Sequence, residues 1–229
     1  MEMRDIREAG FEKARARMVE LQILQRGITS QLVLDAFRKV PRHLFVPEEN
    51  QDEAYGDYPI PIGFGQTISQ PYIVALMTEK AQLKADDHVL EIGTGSGYQA
   101  AILSCLCRKI DTVERIPALG KRAQEVLSEL GVDNVTVHIA DGTGGWTEAA
   151  PYDAILVTAG SPSVPPPLQM QLRNGGRLVI PVGSSWHQEL QLWIKTEADF
   201  EMETIIPVAF VPLLGRWGWE GERYRNEMD

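Results

Sequence analysis

Two cysteines among 229 residues cannot build a disulfide framework. Cys105 and Cys107 stand two apart on a predicted helix, so they point to different sides and cannot form a Cys-x-x-Cys redox pair. The four histidines (His43, His88, His138, His187) are scattered without ligand spacing, which predicts no metal site. Long apolar runs are missing as well: the longest are strand-length, and Met1 to Glu12 is charged rather than an apolar signal core. No transmembrane helix, secretory signal or membrane partner is therefore expected, and the localisation read from these features is a reducing cytoplasm. Basic residues are outnumbered, 22 against 32 acids, for a formal charge of −10. Such a field repels phosphate and argues against DNA or RNA as a partner. No sustained heptad or unpartnered apolar stripe is visible, which points to a monomer.

What is present suits one α/β domain spanning 1–229. Hydrophobic residues make up 44% and charged residues 24%, enough for a sizeable core. Residues 4–26 read as an amphipathic helix with Phe11, Met18, Leu21 and Leu24 near one face, ended by Gly27. Thr29 or Ser30 is placed to cap a second helix running to Lys39. Pro41 and Pro47 then break the chain, residues 50–70 read as loop, and a helix follows from Pro71 to about Gln82. From His88 the pattern is βαβα, with strands near 88–92, 109–114, 135–140, 152–158 and 177–182 and helices near 97–107, 118–130 and 165–173. That alternation predicts an α/β, doubly wound, mostly parallel sheet. Residues 188–195 and 201–211 alternate as an antiparallel hairpin closing the sheet. The chain thus divides into an N-terminal helical segment 1–82, a core 83–214 and a polar, Trp-rich tail 215–229.

The most informative run is Val89-Leu90-Glu91-Ile92-Gly93-Thr94-Gly95-Ser96-Gly97-Tyr98. A short apolar strand enters three alternate glycines, and an alanine-rich helix pattern follows. Glycines let the backbone turn sharply and let a ligand lie against it, and the helix aims its first amides at that ligand. A dinucleotide fingerprint, Gly-x-Gly-x-x-Gly, would need glycine where Tyr98 stands. The compact spacing instead resembles the first motif of S-adenosylmethionine-dependent methyltransferases. The second strand ends in Glu114, placed either to accept both ribose hydroxyls or as an exposed acid at a strand end. Asp141-Gly142 ends the third strand, placed either for the exocyclic amine of adenine or as a simple turn. Glu91 lies inside the first strand, where a carboxylate is costly unless paired; it either orients the loop amides or meets the cationic end of the cofactor.

Before that strand lies Gly65-Gln66-Thr67-Ile68-Ser69-Gln70-Pro71, within a turn-rich stretch from Ala54. By local spacing Ser69 is either an N-cap of the helix at Pro71 or a hydroxyl donor to an anionic substrate. This run, taken with the glycine motif, resembles the protein-L-isoaspartate O-methyltransferases. Matching stretches run in the family's order over most of the chain: 40–47, 54–74, 89–101, 113–115, 141–146, 151–159, 175–183 and 210–213. Departures are small, with Thr147 in place of a common proline and Ser161-Pro162-Ser163 in place of an alanine-rich run.

The resemblance implies a Rossmann-like methyltransferase fold that binds S-adenosyl-L-methionine. It implies methyl transfer to the α-carboxylate of L-isoaspartyl residues in damaged proteins and peptides. Ser69 maps to the family's active-site serine. Gln66, Thr67 and Ile68 approach cofactor and substrate, and Gly93, Gly95, Ser96, Gly97, Glu114, Asp141 and Gly142 line the cofactor. A carboxylate is already ionised near neutral pH and needs no general base, so Ser69 is expected to donate a hydrogen bond rather than to attack. Tyr55, Tyr58, Pro59 and Val211-Pro212-Leu213 are candidates for a peptide groove. A methyltransferase with another acceptor, an NAD-dependent oxidoreductase and a silent cofactor-binding scaffold are the competing readings.

Overall fold

A computed structural model describes residues 3–220. Its centre is a seven-stranded sheet in the order β5-β4-β3-β6-β7-β8-β9, formed by β3 (His88–Ile92), β4 (Lys109–Glu114), β5 (Val135–Ile139), β6 (Tyr152–Val157), β7 (Leu172–Gly183), β8 (Gln188–Lys195) and β9 (Phe200–Val208). The strands β3 to β7 pair in parallel, while β8 and β9 run antiparallel. This is the doubly wound sheet with a closing hairpin that the sequence pattern predicts. Strands β3, β4 and β6 are buried along nearly all their length, polar residues included, because helices cover both of their faces, whereas the edge strand β5 is only half-buried. One face packs on Phe37 of α2 (Gln31–Lys39), Val74 and Met77 of α3 (Pro71–Ala81), Ile102 of α4 (Tyr98–Ser104) and Leu127 of α5 (Pro117–Glu129). The other packs on Leu168 of α6 (Pro166–Gln171).

Strand order reverses at β3, which lies between β4 and β6. The chain leaves the carboxyl ends of β3 and β6 toward opposite sides, which opens a crevice between them. The segment 210–214 crosses that crevice: Gly160 N donates to the Val211 carbonyl, and Leu213 N donates back to Gly160.

Several local expectations change. The helix expected over 4–26 is α1 (Met3–Met18) followed by a π turn, Val19–Ile23, and a 3-10 turn, Leu24–Arg26. The extra residue in the π turn lets the adjacent Met18 and Val19 both enter the core, whereas Leu21 is 42% exposed. Neither Thr29 nor Ser30 caps α2 with its side chain; their backbone amides donate to Glu79 Oε1 on α3, both at 2.8 Å. The stretch read as loop contains a hairpin of β1 (Ile60–Gly63) and β2 (Gln66–Ile68), turned by Gly63, Phe64 and Gly65, all at positive φ. The helix after the glycines ends at Ser104, so Cys105 and Cys107 lie in the following turn as free thiols. The tail up to 220 folds back, with Trp219 N donating to the Leu213 carbonyl and Trp219 buried. The rest of the tail, 221–229, lies outside the described residues. Among the described residues no helix is long and apolar enough to cross a membrane.

Candidate active site

A cavity occupies the crevice at the strand-order reversal. It brings together Gln66, Thr67, Ile68 and Ser69 from the hairpin with Glu91, Gly93, Gly95, Ser96, Glu114 and Gly142 from the sheet ends. Local sequence explains the approach of these loops. Gly93 sits at φ +94, and a Cβ there would lie 2.5 Å from Thr158 Oγ1. That hydroxyl donates to the Gly93 carbonyl at 2.6 Å and so locks the loop against β6. A Cβ on Gly142 would meet Ile92 Cγ2 at 2.8 Å, so only glycine lets the backbone close on β3 there.

Two predicted residues do not line the cavity. Gly97, at φ +86, starts α4 and packs against Ala123 of α5. Asp141 Oδ1 accepts from Thr143 N and Oγ1, and its Oδ2 accepts from Arg216 N. Burial alone would raise the Asp141 pKa, but these donors outweigh it and hold the carboxyl below its ordinary range. Asp141 thus fastens the tail to the turn that carries Gly142.

Of the two roles open to Glu91, orienting the glycine-loop amides falls instead to Glu114. Its Oε2 accepts from Gly95 N and its Oε1 from Ile116 N, each at 2.8 Å. Each oxygen keeps one lone pair for a ligand hydroxyl. Glu91 is fully buried and accepts from Thr112 Oγ1 at 2.5 Å, while its Oε1 has no partner. Burial, reinforced by the charge of Glu114, pushes its pKa up to about 8 against the opposing pull of the Thr112 hydroxyl.

Ser69 is not the N-cap of α3; that position belongs to Gln70, which makes no side-chain cap bond. The Ser69 hydroxyl makes no hydrogen bond among the described residues, and Ser69 lines the cavity. Its backbone is held from behind. Arg42 is fully buried and donates through Nη2 to the Ser69 carbonyl at 2.8 Å and through Nε to the Ala54 carbonyl at 2.7 Å. Burial lowers the Arg42 pKa to about 10, which leaves the guanidinium charged at neutral pH. Its position shows only in three dimensions, because its two acceptors lie 12 and 27 residues away. Thr158 also lines the cavity, and the resemblance assigned it no role.

A second opening shares Thr67, Ser69, Thr158 and Val211 with the first and continues past Pro59, Ile73 and Phe210. Of the groove candidates, Pro59 and Val211 line it. Val211, Pro212 and Leu213 line the first cavity. Tyr55 is instead buried and bonded to His43 Nδ1 at 2.8 Å, and Tyr58 pairs with Glu53.

Comparison with known proteins identifies the family. The profile of the protein-L-isoaspartate(D-aspartate) O-methyltransferase family matches residues 13–218. A protein-L-isoaspartate O-methyltransferase of Trichlorobacter lovleyi is 56% identical over 212 residues, covering 92% of this chain and 97% of its own length. Protein-L-isoaspartate O-methyltransferase 1 of Syntrophobacter fumaroxidans is 54% identical over 211 residues, covering 92% and 99%. A solved protein-L-isoaspartate O-methyltransferase superposes with a TM-score of 0.82 at 29% identity, covering 93% of this chain and 69% of that one. With matches this long and this close, the chain belongs to the protein-L-isoaspartate(D-aspartate) O-methyltransferase family.

Proposed function

We propose that this protein is a repair enzyme that transfers a methyl group from S-adenosylmethionine to the α-carboxylate of L-isoaspartyl residues in damaged proteins and peptides, giving S-adenosylhomocysteine and an isoaspartyl methyl ester. The observation that carries it is a single cavity lined both by the glycine loop and by Gln66 to Ser69. The residues present fit the cofactor. Glu91 offers a buried, unpartnered carboxyl oxygen to its ammonium end, and Glu114 keeps a lone pair on each oxygen for its ribose. Gly142, at the Asp141-Gly142 turn, lines the same cavity on the side suited to adenine.

When bound, S-adenosylmethionine supplies a methyl carbon made electrophilic by its sulfonium. The protein's own work is positioning. A carboxylate acceptor is ionised at neutral pH, so no side chain has to remove a proton from it. Holding acceptor and donor in line converts a bimolecular step into an effectively unimolecular one, an effect worth up to about 7–11 kcal/mol. Ser69 donates a hydrogen bond to the acceptor and fixes its angle, and Arg42 fixes Ser69 through its carbonyl. The peptide approaches through the second opening, which reaches Ser69 from the side of β9. The backbone amide nitrogen that follows the ester attacks it, expels methanol and closes a succinimide; water opens this ring to aspartate or isoaspartate. That chemistry belongs to the substrate.

We also read the chain as a single domain and a monomer acting in a reducing cytoplasm, without a nucleic-acid partner. Its two free thiols, its charge of −10 and a core cluster that includes both Phe37 of the N-terminal segment and Leu190 of the sheet support this. The test of function uses methyl-labelled S-adenosylmethionine and two peptides that differ only in one L-isoaspartyl or L-aspartyl linkage. Base-labile label on the isoaspartyl peptide alone is expected. Equal label on both, or none on either, would sink the reading in favour of another acceptor or a silent scaffold.

A further inference from the structure

Strand β8 begins at Gln188, opposite Val208, so the chain that runs on from β9 to Phe210 lies beyond the β8 ladder. The local register, Leu190 with Ile206 and Gln188 with Val208, would set Trp186 opposite Phe210. Trp186 instead sits in the turn between β7 and β8, where its N donates to Ser184 Oγ at 3.3 Å. The Phe210 peptide group is paired all the same. Gln188 Oε1 accepts from Phe210 N at 2.8 Å, and Gln188 Nε2 donates to the Phe210 carbonyl at 3.2 Å. One side-chain amide thus makes both bonds that an antiparallel strand partner would make. Its orientation is fixed, because turning it over would set donor against donor and acceptor against acceptor. Gln188 is 3% exposed, and its amide lies against Gly160, where a Cβ would stand 2.5 Å from Nε2 and 2.6 Å from Oε1. Gly160 N in turn donates to the Val211 carbonyl at 2.8 Å.

This amide stands where the two openings join. Thr67, Ser69, Thr158 and Val211 line both openings, and Gln188 and Phe210 line the second. Resting on the reading of that second opening as the path of the peptide, we propose that Gln188 is a positioning residue for the peptide acceptor: its amide replaces a strand partner for Phe210 and so sets the Phe210–Val211 wall along which the peptide reaches Ser69. The cofactor cavity meets the same segment at Val211 to Leu214. That part has backbone bonds of its own: Gly160 N to the Val211 carbonyl, Leu213 N to the Gly160 carbonyl and Trp219 N to the Leu213 carbonyl, each at 2.8 Å. Loss of the Gln188 amide therefore falls on the peptide side and leaves the cofactor side in place. Gly160 belongs to the same device, since a methyl group there would push the amide off Phe210 without altering Gln188 itself.

The test varies an L-isoaspartyl peptide at saturating S-adenosylmethionine and measures S-adenosylhomocysteine binding separately by calorimetry. Gln188→Met keeps the volume and removes both hydrogen bonds, so KM for the peptide should rise about tenfold while kcat stays within about twofold. The dissociation constant of S-adenosylhomocysteine should not change. Gly160→Ala should give the same pattern by the second route, and it serves if Gln188→Met does not fold. Gln188→Glu still accepts from Phe210 N, but it donates to the Phe210 carbonyl only when protonated. Its KM, taken as a ratio to wild type at the same pH, should therefore recover from about pH 8 to about pH 6. His187 lines the same opening and titrates in both proteins, so the ratio cancels it. An unchanged KM in Gln188→Met and Gly160→Ala would overturn the positioning role, as would cofactor binding that weakens in step with KM, or a Gln188→Glu ratio that does not recover. Each of these leaves the methyl-transfer reading standing, because wild type still labels the isoaspartyl peptide. A wild-type protein that labels no isoaspartyl peptide would overturn that reading and the role of Gln188 together.

Discussion

Ser69 and Glu91 both line the cavity, one with a free hydroxyl and the other with a buried carboxyl. The serine hydroxyl is free to donate, and its value lies in orientation. A hydrogen bond to a charged acceptor is worth roughly 1.5–3 kcal/mol, but one that binds the ground state equally well adds nothing to the rate. Ser69→Ala should therefore lower kcat by about tenfold, the lower end of that range, and leave the dissociation constant of the cofactor unchanged. Steady-state kinetics and calorimetry check the two halves separately, and the reverse pattern would remove Ser69 from the acceptor side. The run around Ser69 stood out in the sequence because its neighbours resemble the family's signature, and Gln66 to Ser69 do line the cavity. Arg42, which holds that serine, was not legible: an arginine after Val40-Pro41 looks like a surface charge until the fold closes over it.

At the scale of elements, the hairpin and α2 show where local reading stops. Strands β1 and β2 are four and three residues long, and β1 contains Pro61, so neither shows a clean alternating pattern. They pair because Gly63-Phe64-Gly65 turns through positive φ and Ile60, Ile62 and Ile68 bury together. The start of α2 offered Thr29 and Ser30 as caps, yet Glu79 of α3 supplies the acceptor for both amides. Glu79→Ala should cost about 1–2 kcal/mol, in the range of other lost caps, with Glu79→Gln recovering most of it. Denaturant unfolding at neutral pH measures this. No loss on Glu79→Ala would mean that solvent serves those amides equally well.

Across the whole molecule, a charged clamp holds three parallel strands together away from the cavity. Asp111 on β4 meets His88 Nε2 on β3 at 2.6 Å and His138 Nε2 on β5 at 2.7 Å, with Lys109 Nζ at 3.3 Å. Burial pushes the Asp111 pKa up, but its hydrogen bonds with the two histidines and the lysine charge outweigh this and hold it below the ordinary carboxylate range. A carboxyl depressed in the folded state adds stability above its unfolded pKa and loses it as pH falls through the folded one. Asp111→Asn should therefore lower stability by on the order of 2 kcal/mol at pH 7, with the gap closing only in strong acid. Thermal unfolding followed from pH 7 downward checks both the size and the direction. A gap that widened on acidification would contradict this sign.

By itself the sequence determined the order of strands and helices from Pro71 onward and the cofactor loop, and singled out the run that holds Ser69, because each rests on short-range patterns of apolar period, glycine spacing and one specific run. Tertiary structure alone decided which of those residues meet. The reversal of strand order at β3 places the Gly93 and Thr158 loops on either side of one crevice. The crossing segment 210–214 then walls it. Asp141 was drawn away to the tail because Arg216 and Thr143 offer it donors there. Glu114 took the loop amides because β4 ends beside Gly95. Such contacts join residues far apart in the chain, and the competition among donors for one carboxylate is settled only when the sheet has brought them together.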